Sequence, residues 1–213
     1  MDIILYLAIL LFSVIIHEVS HGIVALWQGD DTAYRYGRLT LNPFPHLDLM
    51  GSVIFPAACI LFHLPIFLGW AKPVPVNPNR FDHYRLGTLL VSFAGPLSNI
   101  TLAFIVVMIL RFVLHQQLDA AGMEFLPTLL VKAVYLNLAL AVFNLLPIRP
   151  LDGGQITSVL LPPAIRQAYD NLTQHGFIVI MVLMYFGILG KIIMPPIQFL
   201  FNLMTSGMGR SVL

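Results

Sequence analysis

The stretch His17-Glu18-Val19-Ser20-His21 decides the fold class and the chemistry of this chain, because it lies inside a long apolar segment, residues 3–27. A segment of that length and composition is typical of a helix that crosses a membrane. On a helix, His17 and His21 are one turn apart and project from the same face. Their imidazoles can therefore bind one metal ion together, with Glu18 beside it as a general base.

The apolar setting makes this motif informative. Charged and polar side chains are costly inside hydrocarbon, because lipid offers them no hydrogen-bond partner. The chain has only two glutamates, Glu18 and Glu124, so a chance occurrence of the motif is rare. The alternative is a pair of structural histidines that hydrogen-bond to backbone or to neighbouring helices. Within an apolar span, the metal site is the favoured interpretation.

The composition indicates an integral membrane protein. Of the 213 residues, 58% are hydrophobic and only 10% are charged, whereas soluble domains carry about 25% charged residues. The net charge of +1 gives no indication of nucleic-acid binding. We expect residues 1–213 to form a single membrane-embedded domain.

The apolar stretches and the basic residues between them predict a topology. The stretches are 3–27, 50–70, 87–113, 128–148 and 176–204. Lysine and arginine mark cytoplasmic loops, and here they occur in the connections 28–49, 71–86 and 149–175 but not in 113–127. All three basic connections lie on one side if 50–70 enters and leaves the membrane by the same face. We therefore expect 50–70 to be re-entrant; the alternative is a fifth crossing.

This topology brings a carboxylate to the side of the membrane that the histidines face. The stretch 128–148 continues into Asn144-Leu145-Leu146-Pro147-Ile148-Arg149-Pro150-Leu151-Asp152-Gly153-Gly154. The prolines are expected to end the helix, and the glycines permit a tight backbone path. Asp152 is then a candidate third metal ligand; the alternative is an ordinary turn or helix-capping aspartate.

These residues resemble the site-2 protease family of intramembrane metalloproteases, and the resemblance covers most of the chain. Besides the two motifs above, it rests on three supporting ones: Gly37-Arg38-Leu39-Thr40-Leu41-Asn42-Pro43, Gly69-Trp70-Ala71-Lys72-Pro73-Val74-Pro75-Val76-Asn77 and Ala94-Gly95-Pro96-Leu97-Ser98-Asn99. The chain is most similar to the compact prokaryotic branch without a PDZ or CBS domain. Arg149 departs from the pattern, since relatives often carry an apolar residue or proline there.

The resemblance implies a role for each site residue. His17, His21 and Asp152 would bind one Zn²⁺ ion, Glu18 would activate water, and Asn144 would contact the substrate or the developing oxyanion. The implied substrate is a membrane protein, cleaved in a transmembrane segment near the cytoplasmic side, and the implied location is a prokaryotic cell membrane. The sequence does not define the substrate, any prior cleavage step or the oligomeric state.

The implied fold is an all-α polytopic membrane protein. Its three-helix catalytic core would comprise 3–27, 87–113 and 128–148, followed by a C-terminal helix. Residues 28–86 would form a membrane-associated layer of strand and loop, in which 36–55 is a candidate for pairing with an extended substrate.

Some alternatives remain at this stage. His46 and Asp48 are rival candidates for a metal or substrate contact, although we favour a structural role or a position at the rim of the site because three other ligands are already available. A membrane zinc transporter or channel, a non-catalytic protein that binds membrane segments, and an enzyme acting on lipid are rival functions. A transporter would need further ionisable residues along the spans, and these are sparse.

Overall fold

The structure, a computed structural model, describes residues 2–54, 61, 72–116 and 125–206. Regular secondary structure within these ranges is helical throughout, without a β-strand. The α-helices of the described ranges are α1 (Asp2–Trp27), α2 (Thr32–Arg35), α3 (Tyr84–His115), α4 (Phe125–Asn144), α5 (Asp152–Leu160), α6 (Pro163–Thr173), α7 (Gly176–Tyr185) and α8 (Ile188–Thr205). The prediction of an all-α fold is confirmed.

Four of these helices are long and apolar enough to cross a membrane. They comprise 24 residues of α1, the 32 residues of α3, the 20 of α4 and the 18 of α8. A helix of 20 residues is about 30 Å long, which matches the hydrocarbon core of a bilayer. The chain is therefore a multi-pass membrane protein.

Helices α1, α3 and α4 pack against one another and form the predicted three-helix core. Side chains of α1 meet α3 in reverse order, since His17 contacts Asn99 and His21 contacts Val91, so these helices are antiparallel. Helix α4 is antiparallel to α3, since Asn137 contacts Asn99 while Asn144, further along α4, borders the same cavity as Thr88 near the start of α3. It thus runs in the direction of α1. The C-terminal ends of α1 and α4 and the N-terminal end of α3 consequently share one side of the bundle.

The apolar core continues from this bundle to the last helix. Buried side chains from three helices form one cluster: Ala103 and Val107 of α3, Val134 and Leu138 of α4, and Ile197 and Phe201 of α8. The ring of Phe201 also stacks on Tyr135 with 4.3 Å between ring centroids. The stretch 176–204 is divided into α7 and α8 at Gly187, whose φ of 66° favours glycine.

The connection between α1 and α3 starts and ends on the same side of the bundle. Its two ends are joined directly, because the backbone N–H of Asp82 donates to the Gln28 carbonyl at 2.8 Å. A fully buried carboxylate, Asp30, fastens the connection further by accepting the backbone N–H groups of Thr32 and Asn77, at 3.1 and 2.6 Å. Residues 72–77 lie against the end of α1 without regular secondary structure, and Pro73 and Pro75 keep this segment extended, because proline and the residue before it disfavour the helical conformation.

The described part of 28–86 contains short helices and extended chain rather than the predicted strands. Besides α2, it has 3₁₀ turns at Phe44–His46 and Pro78–Arg80 and a π-helical segment at Leu49–Ile54. The prediction that 50–70 is re-entrant falls mainly on residues 55–60 and 62–70, which lie outside the described residues. The Gly69-Trp70-Ala71 part of the second supporting motif also lies outside them.

Candidate metal centre

The two histidines of α1 are oriented by hydrogen bonds to acceptor atoms of helix α3. Nδ1 of His17 lies 2.6 Å from Oδ1 of Asn99, and Nδ1 of His21 lies 2.6 Å from the Val91 carbonyl oxygen. Both partners are acceptors, so both imidazoles carry their proton on Nδ1 and donate it. When the rings are neutral, this leaves each Nε2 with a lone pair, which is the form in which histidine binds a metal.

The orientation of Asn99 follows from its other partners. Its amide Nδ2 donates to the Ser13 carbonyl at 3.3 Å and to Oδ1 of Asn137 at 3.0 Å, which turns Oδ1 toward His17. Asn137 in turn donates to the Ala133 carbonyl at 3.0 Å. Asn99 and Asn137 are essentially buried, so this chain of amides links α1, α3 and α4 through the apolar core.

Asp152 completes a group of three ligand atoms. Its Oδ2 lies 3.3 Å from Nε2 of His17 and 3.4 Å from Nε2 of His21. The two imidazole rings are nearly perpendicular, at 83°, with centroids 4.7 Å apart. Among the residues the structure describes, this is the one group of three His, Cys, Asp or Glu side chains arranged to hold a metal ion, with all ligand atoms within 4.8 Å.

This arrangement fits a bound cation. Ligand atoms about 2.0–2.2 Å from a tetrahedral ion lie about 3.3–3.6 Å from one another, which matches the two distances to Oδ2. With neutral rings protonated on Nδ1, three lone pairs would converge on one ion, and Oδ2 is a buried atom without a hydrogen-bond partner in the described part of the chain. Burial alone would raise the pKa of the Asp152 carboxyl, but the adjacent His17 and His21 hold that pKa below its ordinary value. Asp152 is therefore an anion, which is the form in which a carboxylate binds a metal.

Asp152 reaches the histidines as the first residue of helix α5 rather than as part of a simple turn. The two glycines after it are needed for close packing. A Cβ at Gly153 would collide with the carbonyls of Leu145 and Leu146, and one at Gly154 would lie 2.6 Å from the backbone nitrogen of Arg149. The Asp-Gly-Gly sequence thus lets α5 pack directly against the loop that precedes it.

Glu18 and Asn144 line the same cavity as the three ligands. The cavity has a volume of about 370 Å³. Residues of the chain before α3 and of the start of α3 also border it: Pro73, Val74, Val76, Pro78 and Phe81, then Tyr84, Thr88 and Ser92. Oε2 of Glu18 accepts the backbone N–H of Val74 at 2.9 Å. Asn144, at the end of α4, donates one amide hydrogen to the Leu140 carbonyl at 3.0 Å. All five predicted site residues therefore meet in one place.

Three further residues at this site were not assigned from the sequence, namely Gly95, Asn99 and Asn137. A Cβ at Gly95 would lie 2.5 Å from Nε2 of both His17 and His21, so only glycine leaves the imidazole edges open. Gly95 and Asn99 belong to a motif quoted above, but spacing alone did not connect it to α1. The sequence does offer one indication of Asn99 and Asn137: an asparagine inside an apolar helix needs a hydrogen-bond partner for its amide within the bundle.

His46 and Asp48 lie outside the group of ligands. His46 is completely buried, donates from Nε2 to the Thr40 carbonyl at 2.8 Å and accepts the Lys72 N–H on its own carbonyl at 2.8 Å. Oδ1 of Asp48 accepts the N–H of Gly51 at 2.7 Å. Neither residue borders the cavity, and these contacts give both a structural role in the connection.

The hydrogen bond to His17 makes Asn99 a testable support of the metal site. We expect Asn99→Leu to weaken zinc binding by about 10–100-fold, because the imidazole loses the acceptor that fixes its tautomer and orientation. Zinc affinity, measured by competition with a chelator, checks this. Ser98→Ala is the matched control, since that hydroxyl donates only within α3, to the Gly95 carbonyl at 2.7 Å. Equal affinities of the two variants would contradict the assignment.

Comparisons with known proteins agree with this geometry. The family model described as "Peptidase family M50" matches residues 112–188, which include Asn144 and Asp152. "Putative zinc metalloprotease YwhC" of Bacillus subtilis is 43% identical over 84% of this chain and 79% of its own length. "Putative zinc metalloprotease Rip2" of Mycolicibacterium smegmatis is 31% identical over 85% of this chain and 66% of its own length. No solved structure matches the chain.

Proposed function

Because the chain belongs to peptidase family M50 and is an intramembrane zinc metalloprotease, we propose that His17, His21 and Asp152 are its zinc ligands and Glu18 its general base. The observation that carries this proposal is that Oδ2 of Asp152 lies 3.3 and 3.4 Å from the two Nε2 atoms, so that all three ligand atoms lie within 4.8 Å of one another. Two His and one carboxylate form a ligand set typical of catalytic zinc, which keeps a position for water or substrate.

The chain's own residues supply the steps around the ion. When bound, zinc supplies a Lewis acid that polarises a carbonyl and lowers the pKa of water toward neutrality. Glu18 takes a proton from the attacking water while the water oxygen forms a bond to the carbonyl carbon of the peptide. It then gives that proton to the leaving amine as the C–N bond breaks. Asn144 also lines the cavity, and we assign its second amide hydrogen to stabilising the developing oxyanion.

The substrate we propose is a transmembrane segment of a membrane protein, in an extended conformation. A helical substrate has its backbone amides bonded internally, so it must unwind before its carbonyl can reach the ion. The cavity borders the extended segment 72–77, and we propose that the unwound substrate binds in it beside Glu18. Pairing of the substrate with 36–55 stays a prediction, since the described part of that segment contains no strand.

The proposed site of cleavage is near the cytoplasmic side of the cell membrane. The ends of α1 and α4 that carry the site lie on one side of the bundle. The connection between α1 and α3 begins and ends on that same side. The basic residues of 28–49, 71–86 and 149–175 lie on that side, and basic loops are cytoplasmic. The re-entrant path of 50–70 stays a prediction, since most of that stretch lies outside the described residues.

A cleavage assay on the full chain in detergent tests this function. We expect the freshly purified protein to contain one zinc ion per chain and to cut at least one of a panel of single-span substrates. Mass spectrometry of the products should place the cut in the cytoplasmic half of the substrate span. A protein purified without zinc, or cuts confined to loops outside the span, would contradict the proposal.

A further inference from the structure

The position of the third proposed ligand depends on a loop rather than on the helix that carries the histidines. His17 and His21 are fixed relative to each other by one turn of α1. Asp152 instead follows residues 145–151, here named the metal loop, which connect α4 to α5 without forming a regular element. Whatever holds the metal loop therefore decides whether Oδ2 of Asp152 stays 3.3–3.4 Å from the two imidazoles.

Helix α6 contacts the metal loop and α5 through one of its faces. The hydroxyl of Tyr169 lies 3.0 Å from the Pro147 carbonyl and 3.3 Å from the Gly154 carbonyl, so it joins the loop to the start of α5. Arg166 donates from Nε to the Ser158 carbonyl at 2.7 Å and from a terminal nitrogen to the Val159 carbonyl at 2.9 Å. Helix α6 thus makes hydrogen bonds to residues that precede Asp152 in the chain and to residues that follow it.

An ion pair adds a third connection from the same helix. A terminal nitrogen of Arg149, within the metal loop, lies 3.4 Å from Oδ1 of Asp170 and 3.2 Å from the Ser158 hydroxyl. Both charged side chains are about two-thirds buried. Oδ1 of Asp170 is a buried atom that accepts no hydrogen bond in the described ranges, so the guanidinium is the group that compensates its charge.

The packing around the metal loop is close as well as polar. On one side, the lack of a side chain at Gly153 and Gly154 lets α5 pack directly against the loop. A Cβ at Gly176, the first residue of α7, would collide with the Arg149 carbonyl from another side. With α6 bonded to it too, the loop has no room to shift without breaking several contacts at once.

We propose that Tyr169 and the Arg149–Asp170 pair are positioning residues, which form a clasp that holds Asp152 in place to bind the metal. This inference rests on the proposed function, since it assumes that Asp152 is a ligand. It explains the unusual arginine of the metal loop: Arg149 is not only a charge at the rim of the site but the loop's ionic link to α6. None of the three residues borders the cavity.

Metal release from the full-length protein in detergent tests the clasp. We expect Tyr169→Phe, which removes a single oxygen, to raise the rate of zinc dissociation into excess chelator about tenfold. The absorption bands of the cobalt-substituted protein should shift in the same variant, because the geometry of the ligands changes. Tyr185→Phe is the matched control, since that tyrosine is 85% exposed on α7, and it should behave as the wild type.

A charge exchange tests the ion pair independently. Arg149→Asp and Asp170→Arg should each speed zinc release, and the double variant should release zinc more slowly than either single variant. Arg35→Gln, which breaks an exposed ion pair with Asp31, is the control and should change nothing.

The outcomes separate the clasp from the proposed function. If wild type and Tyr185→Phe hold zinc while Tyr169→Phe releases it within twofold of the wild-type rate, the clasp is wrong and the metal site stands. A lower melting temperature without a change in the cobalt spectrum would also overturn it, as that result describes a merely structural contact. If wild type holds no zinc, the proposed function itself is wrong.

Discussion

Glu18→Gln is expected to lower the rate of peptide cleavage by about 10²–10⁴-fold, while zinc stays bound. Glutamine has the shape of glutamate but cannot accept the proton of the attacking water. It retains an oxygen that can accept the N–H of Val74, the bond that Glu18 makes at 2.9 Å, so the extended segment should stay in place. The variant therefore removes the proton transfer and little else.

Three measurements on one preparation make this result decisive. The cleavage rate, the zinc content and the melting temperature should be compared for the wild type, Glu18→Gln and Ser20→Ala. Ser20 lies half a turn further along α1, where its hydroxyl donates to the Ile16 carbonyl at 2.7 Å, and its replacement should leave all three values near those of the wild type. Cleavage by Glu18→Gln at more than a tenth of the wild-type rate would exclude Glu18 as the general base.

Gly95→Ala is expected to weaken zinc binding by more than about 100-fold and to abolish cleavage, since a misplacement of about 1 Å alone can cost that much in rate. The new methyl carbon would lie 2.5 Å from Nε2 of both His17 and His21, well inside the 3.5–4.0 Å or so of an ordinary contact between non-bonded atoms. The Nδ1 atoms of these rings are hydrogen-bonded to Oδ1 of Asn99 and to the Val91 carbonyl, so the rings cannot move away from the methyl group without breaking those hydrogen bonds. The methyl group would also occupy the open edge at which the ion must bind.

The matched control is Gly190→Ala in α8. A Cβ at Gly190 meets nothing within 4 Å, so this variant should bind zinc and cleave the substrate as the wild type does. Helix content and elution volume show whether Gly95→Ala still folds, which separates a lost metal site from a lost protein. A folded Gly95→Ala that holds zinc with wild-type affinity would show that the imidazoles bind the ion elsewhere.

The sequence by itself determined the parts of this protein that depend on local periodicity and on the cost of polar groups in lipid. The one-turn spacing of His17 and His21 within 3–27 predicted the metal-binding pair, and the apolar stretches predicted the spanning helices and the all-α class. These features need only residues close in the chain. The ligand role of Asp152 required one further assumption, that the chain returns to the same side, and its assignment stays a proposal to be tested.

Only the tertiary structure decided how residues from distant helices meet. Asn99 lies 82 positions from His17, and no local pattern shows that its amide fixes the imidazole or that Gly95 leaves the ring edges open. Nor could the sequence show that α6 fastens the metal loop, because hydrogen-bond distances are set by how helices pack and not by spacing along the chain. Local chemistry thus provided the reactive groups, and packing between helices brought them within reach of one ion.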